Sequence, residues 1–442
     1  MKKSLLIKPF MDEIYPKAVK GSGIYLYDED GNKYIDGSSG AVTASIGHGN
    51  KEIIHAMLEQ AKKVSFVYRS QFTTEPAEEL ACKLNNLVDA DEPYWSFLVN
   101  SGSEATETAM KMAIQHWQEQ GFDKKNKILS RWISYHGITI GALSMSGHVY
   151  RRARFAPLLD ECPAVSAPYC FRCPFNLNYP TCGLFCASEL ETAINRVGSE
   201  RIAAFIAEPI VGAAGGVIVP PEGYYQKIKE ICEKNNILFI ADEVMTGMGR
   251  TGKMFAMEHW NVKPDLIVLG KGISSGYSPL AATLASKKVM DPILSGSKSV
   301  MSGHTFSANP QSAATALAVI HYIERMKLID HSCKNGSYLI EKLKNMAKNN
   351  PIIGDVRGKG LMIGVEFVDP LTKEPFPTVE QMTTRVIKKA REKGLILYPA
   401  NAGKDGLVGD AVIIAPPLII KKKEMKQLLS IFEETLREIQ LK

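Results

Sequence analysis

Two short apolar runs each stop on charge. Ile237-Leu238-Phe239-Ile240-Ala241 ends on Asp242-Glu243, and Leu266-Ile267-Val268-Leu269 ends on Gly270-Lys271-Gly272. Runs this short and this apolar read as strands buried on both faces, the habit of parallel sheets. Parallel strands need crossover helices on both faces, which constrains the chain to an α/β architecture. Ligands of open α/β sheets bind beyond the carboxyl ends of the strands. A carboxylate and an amine are therefore delivered to the edge where a ligand would sit.

The remaining pattern extends this reading. Residues 23–36 read as a hairpin around an Asp-Gly-Asn turn. Strands are expected at 94–100, 202–210, 237–244 and 266–269, and helices at 104–120 and 224–236. A long apolar helix at 311–325 leads into amphipathic helices at 337–348 and 378–393, strands at 361–367 and 412–415, and a last helix at 423–440. The expected architecture is a mostly parallel, doubly wound sheet in a large domain, 50–325. Residues 1–49 and 326–442 would form a smaller α+β domain.

Composition excludes several classes. The 442 residues are 45% hydrophobic and 23% charged, which is ordinary for a globular chain. The net charge of +6 is scattered, with no basic stripe interleaved with aromatics, so nucleic acid is not an expected partner. Met1-Lys2-Lys3 is followed only by Ser4-Leu5-Leu6-Ile7, too little apolar chain for a signal peptide. The longest stretch without Asp, Glu, Lys or Arg, 300–323, carries Gly303, His304, Asn309, Pro310 and Gln311, which do not suit a membrane. A cytoplasmic protein with its eight cysteines reduced is expected.

Asp242 and Lys271 together suit pyridoxal 5'-phosphate (PLP). Its aldehyde needs an amine to hold it, and its pyridine nitrogen needs an acid that keeps it protonated. Ser101, Gly102 and Ser103 join a strand to a helix. Gly102 permits close backbone approach, Ser103 reads as an N-cap, and the helix start would attract phosphate. Tyr135 and His136 follow an apolar segment, where an aromatic ring would stack on a flat cofactor.

Two other motifs weigh differently. Gly247-Met-Gly249-Arg-Thr-Gly252 matches the dinucleotide fingerprint. However, Asp242-Glu243 separates it from its strand, and 253–260 continues poorly as a helix, so it reads as a Gly-rich loop. Cys170, Cys173, Cys182 and Cys186 are spaced either for a structural zinc or for a loop of packed thiols. No His or acid joins them, so no catalytic metal is assigned.

Asn100-Ser-Gly-Ser-Glu-Ala, Ala207-Glu208-Pro209-Ile210, Ala241–Gly252, Leu269-Gly-Lys-Gly-Ile273 and Gly303-His-Thr-Phe306 occur in one order along the chain. Together they resemble the signatures of class III PLP-dependent aminotransferases. The resemblance implies fold type I and a homodimer with shared active sites. It makes Lys271 the Schiff-base lysine and Asp242 the partner of the pyridine nitrogen. Val244 and Tyr135 would pack on opposite faces of the ring, and Glu208 would sit on the Asp242 side. Thr305 is similar to the threonine that reaches the phosphate of the neighbouring subunit.

Two departures bear on substrate. After Glu208-Pro209-Ile210 the chain reads Val211-Gly212-Ala213-Ala214, without the second glutamate of the ornithine and 4-aminobutyrate enzymes. This is more similar to the ω-amine and β-amino-acid aminotransferases. The loop 401–409 has Val408 where that subgroup often has arginine, and its one basic residue is Lys404. The resemblance implies transfer from an ω-amine, β-amino acid or β-aminoacyl-CoA ester to pyruvate or 2-oxoglutarate by a ping-pong route. The last donor class resembles that of lysine fermentation, and the positive net charge would suit an anionic CoA ester. An aminomutase or racemase on the same fold is the alternative. An NAD oxidoreductase or a cofactor-free binding protein are the rivals outside it.

Overall fold

The computed structural model describes residues 5–11, 13–160 and 162–439. Met1–Ser4, on which the signal-peptide reading rests, and Gln440 of the last expected helix lie outside the described residues.

A seven-stranded sheet forms the centre, in the order Tyr94–Val99, Ala281–Ser286, Leu266–Leu269, Leu238–Asp242, Ile202–Ala207, Lys127–Arg131, Pro163–Val165. Ala281–Ser286 pairs antiparallel with both its neighbours. The other pairings are parallel. Six strands therefore share one direction and one is reversed. Strands Ile202–Ala207, Leu238–Asp242, Leu266–Leu269 and Ala281–Ser286 are buried throughout. This full burial explains the apolar runs of the first three, which only Asp242 at a strand end interrupts. Helices Gly102–Gln118 and Tyr224–Lys234 cover opposite faces and close two separate cores.

The hairpin is present as Tyr25–Asp28 paired with Lys33–Asp36. Asp28 organises its turn by accepting from the Asp30 and Asn32 N–H groups and from the Asn32 and Tyr34 side chains. Leu395–Ile396 pairs parallel with Lys33–Asp36, so both ends of the chain contribute to one small sheet. Ile353–Lys359, Met362–Phe367, Asp410–Ile414 and Tyr398–Asn401 form a second four-stranded sheet.

Several boundaries differ from expectation. The helix expected at 337–348 begins earlier and spans Leu328–Lys348. The one expected at 378–393 divides into a turn at Thr378–Glu380 and a helix at Met382–Glu392. Gln381 causes the break, because its left-handed backbone (φ 44°) cannot continue a helix. No helix among the described residues is long and apolar enough to cross a membrane.

Candidate active site

Five of the six codirectional strands end beside one another and deliver the site. Beyond Val99 come Ser101, Gly102 and Ser103; beyond Arg131 come Tyr135 and His136. Beyond Ala207 comes Glu208; Leu238–Asp242 ends on the aspartate; beyond Leu269 comes Lys271. Gly102, Ser103, Tyr135, His136, Glu208, Asp242, Val244 and Lys271 line a single cavity of about 280 Å³. Ala41, Gly137, His148, Arg151, Ala213, Met245 and Tyr398 complete its wall.

The two acids are held differently. Asp242 Oδ2 lies 2.7 Å from His136 Nδ1, and its Oδ1 accepts the Val244 N–H at 3.1 Å. Glu208 accepts the Tyr135 N–H on one oxygen at 2.9 Å and the Gly212 N–H on the other at 2.8 Å. Burial pushes the Glu208 carboxyl above its ordinary range, with His136 acting in the opposite direction. Lys271 has a left-handed backbone, with φ 44°, at the start of a short turn. Burial lowers its ammonium below the ordinary lysine value, while Asp242 and Glu208 pull it back up.

The helix start corrects one expectation. The helix begins at Gly102, so the N-cap is Ser101, whose hydroxyl accepts the Glu104 N–H. Ser103 lies inside the first turn, and its hydroxyl accepts the Ile138 N–H at 3.0 Å. The fit there is close. A Cβ on Gly137 would come within 2.6 Å of Ser103 Oγ, and one on Gly102 within 3.1 Å of Val244. Ser101 and Thr305 are not part of the cavity wall. Thr305 is exposed, in a turn tied to the same helix by His304, 3.6 Å from Glu104.

These residues fit PLP. A buried amine, a clamped carboxylate, an aromatic ring and the start of a 17-residue helix converge on one cavity. The last supplies free N–H groups for a phosphate. Lys271 would hold the aldehyde carbon, Asp242 the ring nitrogen, and Gly102 with Ser103 the phosphate.

The Gly-rich loop is filled by the protein itself. Arg250 is buried, donates to the Leu361 and Pro416 carbonyls, and reaches the Ser39 and Ser45 hydroxyls. The cysteine segment forms a small cluster in which Cys170, Cys173, Cys182 and Cys186 line one pocket with Tyr169, Phe175 and Phe185. All eight cysteines are free thiols, and burial pushes Cys186 up to about 12. Among the described residues no group of three or more His, Cys, Asp or Glu is placed to hold a metal.

Some of the site's supports were absent from the sequence reading. Arg131 is fully buried beneath the cavity and donates to the Glu208 carbonyl at 2.6 Å and the Tyr225 hydroxyl at 3.1 Å. Its signal was a charge at the end of a short strand, Lys127–Arg131, whose middle is apolar. Arg151, with its guanidinium carbon 4.7 Å from the Tyr135 ring centre, had no such signal.

The fold and the cavity define a PLP-dependent enzyme of fold type I. The chain matches the family described as Aminotransferase class-III over residues 9–436. It is 52% identical to a protein named uncharacterized aminotransferase YodT of Bacillus subtilis (strain 168), over 99% of this chain and 98% of that one. It is 35% identical to the taurine–pyruvate aminotransferase of Bilophila wadsworthia (strain 3_1_6), over 98% and 94%. Among solved structures it is similar to a transaminase from a marine Virgibacillus, with a TM-score of 0.91 and 34% identity over 99% and 97%. An amine transaminase from an uncultivated Pseudomonas species, in its PLP-bound form, gives a TM-score of 0.92 and 32% identity over 98% of both chains. The chain belongs to the class-III aminotransferases, and PLP is its cofactor. These relatives are all aminotransferases, so they do not favour the aminomutase or racemase alternative.

Proposed function

We propose that this enzyme moves an amino group from an amine remote from any α-carboxylate to a 2-oxo acid, pyruvate or 2-oxoglutarate, by a ping-pong route. The donor would be an ω-amine, a β-amino acid or a β-aminoacyl-CoA ester. The observation that carries the reading is the convergence of Lys271, Asp242 and Glu208 on one cavity. The names of the relatives support the substrate class, since they include ω-transaminases and a taurine–pyruvate enzyme.

Bound in this cavity, PLP supplies an electron sink for the bond broken at the substrate's amine-bearing carbon. Asp242 keeps the positive charge on the ring nitrogen, and His136 fixes the orientation of that carboxylate. Lys271 takes the proton from the substrate carbon and returns it to the cofactor carbon. A lysine depressed by burial is more readily neutral, which suits it as a general base. Glu208 holds the Tyr135 backbone and so sets the aromatic wall of the cavity.

The enzyme would act as a homodimer. Phe66, Phe72, Met301 and Phe306 are large apolar side chains left exposed, with Phe66 and Phe306 in edge contact at 5.7 Å. Exposed apolar groups of this size mark a protein interface. In that dimer Thr305 would reach the partner's phosphate site. A donor screen of the holoenzyme over ω-amines, β-amino acids and β-aminoacyl-CoA esters, with pyruvate and 2-oxoglutarate as acceptors, tests the reading. Activity confined to α-amino donors would overturn it.

A further inference from the structure

Asp242 is clamped by His136 and the Val244 N–H, and Glu208 by two backbone N–H groups. Lys271 would be taken up by the cofactor in the function proposed above. The remaining charge on the cavity wall is Arg151. Its guanidinium carbon lies 4.7 Å from the Tyr135 ring centre. Among the described residues no carboxylate lies within ion-pair distance of it.

Its neighbour shows what an occupied arginine looks like in this segment. Arg152 donates from one nitrogen to the carbonyls of Leu143, Ser144 and Ser146 at 2.9, 2.6 and 2.9 Å, which fixes the chain. Arg151 has no comparable anchor and projects as an exposed side chain at the cavity mouth. The guanidinium lies over the Tyr135 ring and acts on the Tyr135 hydroxyl, which orients it, and an arginine's five N–H donors exceed what that one hydroxyl can engage. The planar fork of donors is built for bidentate binding of a carboxylate. Its charge also reaches into the cavity, where it helps to depress both Lys271 and His148.

We propose that Arg151 binds the carboxylate of the 2-oxo acid acceptor and so holds its keto carbon towards Lys271. The acceptor's identity rests on the function proposed above; the anion site itself does not. Arg151 acts on binding and takes no part in the proton transfer.

Two measurements on the holoenzyme separate the two claims. The first is titration with propanoate, a carboxylate that cannot react, followed by the visible absorbance of the bound cofactor. The wild type should show a saturable shift. Arg151→Gln should weaken it roughly ten- to a hundredfold, as loss of a charge-assisted pair does, and Arg151→Lys should recover part of the affinity. The second compares pyruvate with acetaldehyde, which lacks the carboxylate, as acceptors for the amino form of the enzyme. The ratio of kcat/KM for pyruvate to that for acetaldehyde should fall at least about tenfold in Arg151→Gln.

An unchanged propanoate affinity in the variant, or no saturable response in the wild type, overturns the assignment of Arg151. If the wild type binds propanoate through Arg151 but accepts no 2-oxo acid, the acceptor reading fails and the anion site stands. An equal loss with pyruvate and acetaldehyde would make Arg151 a support for Tyr135, against the proposal.

Discussion

His136 Nδ1 lies 2.7 Å from Asp242 Oδ2, with both side chains buried. The pair joins the ends of two strands that are not neighbours in the sheet, since Ile202–Ala207 lies between them. Asp242 is thereby fixed from one side by an imidazole and from the other by the Val244 N–H. A carboxylate held in this way needs no reorganisation to serve the cofactor's ring nitrogen.

This relationship separates two variants. Asp242→Asn should retain PLP yet lose about a thousandfold in kcat, because a neutral amide cannot keep the ring nitrogen protonated. His136→Phe leaves the acid in place and removes only its orientation. Loss of such an outer partner costs about ten- to a hundredfold. Steady-state kinetics should show the His136 loss mainly in kcat, with KM for the amine little changed. A His136 variant as damaged as Asp242→Asn would make the imidazole a direct participant.

Lys271→Ala should abolish turnover and covalent attachment. Borohydride reduction followed by mass measurement should add the cofactor to the wild-type chain and not to the variant. The cofactor-free protein should show a second effect. Burial depresses the Lys271 ammonium below 10.5, so at lower pH the folded state disfavours a charge that the unfolded chain carries freely. The wild type therefore gains stability relative to Lys271→Ala as pH rises towards the ordinary lysine range. Thermal unfolding of the two cofactor-free proteins across that range should show the balance move in favour of the wild type. A constant difference would mean that Lys271 is not desolvated.

The sheet and the site were legible because both depend on local sequence. Buried parallel strands are short apolar runs, and the charges that line the cavity sit where each run stops, as Asp242 and Lys271 do. The reversed strand Ala281–Ser286 was not legible as such. Its Ala-Ala-Thr-Leu-Ala-Ser composition lacks the β-branched and aromatic bias of a strand, and its place is set by packing between two others. The cap fell on Ser101 instead of Ser103 because either serine satisfies the local rule and the strand end decides. Partnerships between distant residues had no signal in the sequence. Arg151 with Tyr135, and Arg357 with Glu366 and Tyr169, exist only once the chain is folded.

That last group makes a stability prediction. Arg357 is almost fully buried and donates to Asp355 at 2.8 Å, Glu366 at 2.7 Å and the Gly215 carbonyl at 2.9 Å. Glu366 also accepts from Arg172 at 2.7 Å and from the Tyr169 hydroxyl. Arg357→Met removes one of the two guanidinium partners of a buried carboxylate and leaves Arg172 and the Tyr169 hydroxyl on it, so the loss should fall below the roughly 3–5 kcal/mol of a fully stranded charge. Adding Glu366→Gln should cost less than it does in the wild type, because Arg357 is no longer there to lose its partner. Denaturant unfolding of both single variants and the double variant measures the coupling. Additive losses would mean that the two side chains do not share one network.

Thr305 should serve the neighbouring subunit. It is exposed here and absent from the wall of its own chain's cavity, although His304 beside it lies 3.6 Å from Glu104 near the start of helix Gly102–Gln118. Losing a hydrogen bond to a charged group costs about 1.5–3 kcal/mol, so Thr305→Ala should weaken PLP retention roughly ten- to a hundredfold. Mixed dimers of Lys271→Ala and Thr305→Ala chains then decide which site the hydroxyl serves. If Thr305 acts across the interface, one site in each mixed dimer carries both lesions and the other carries neither. Half of the sites should then bind PLP with wild-type affinity and turn over. If instead every site in the mixed dimers remains defective, Thr305 acts within its own chain and the shared-site dimer fails.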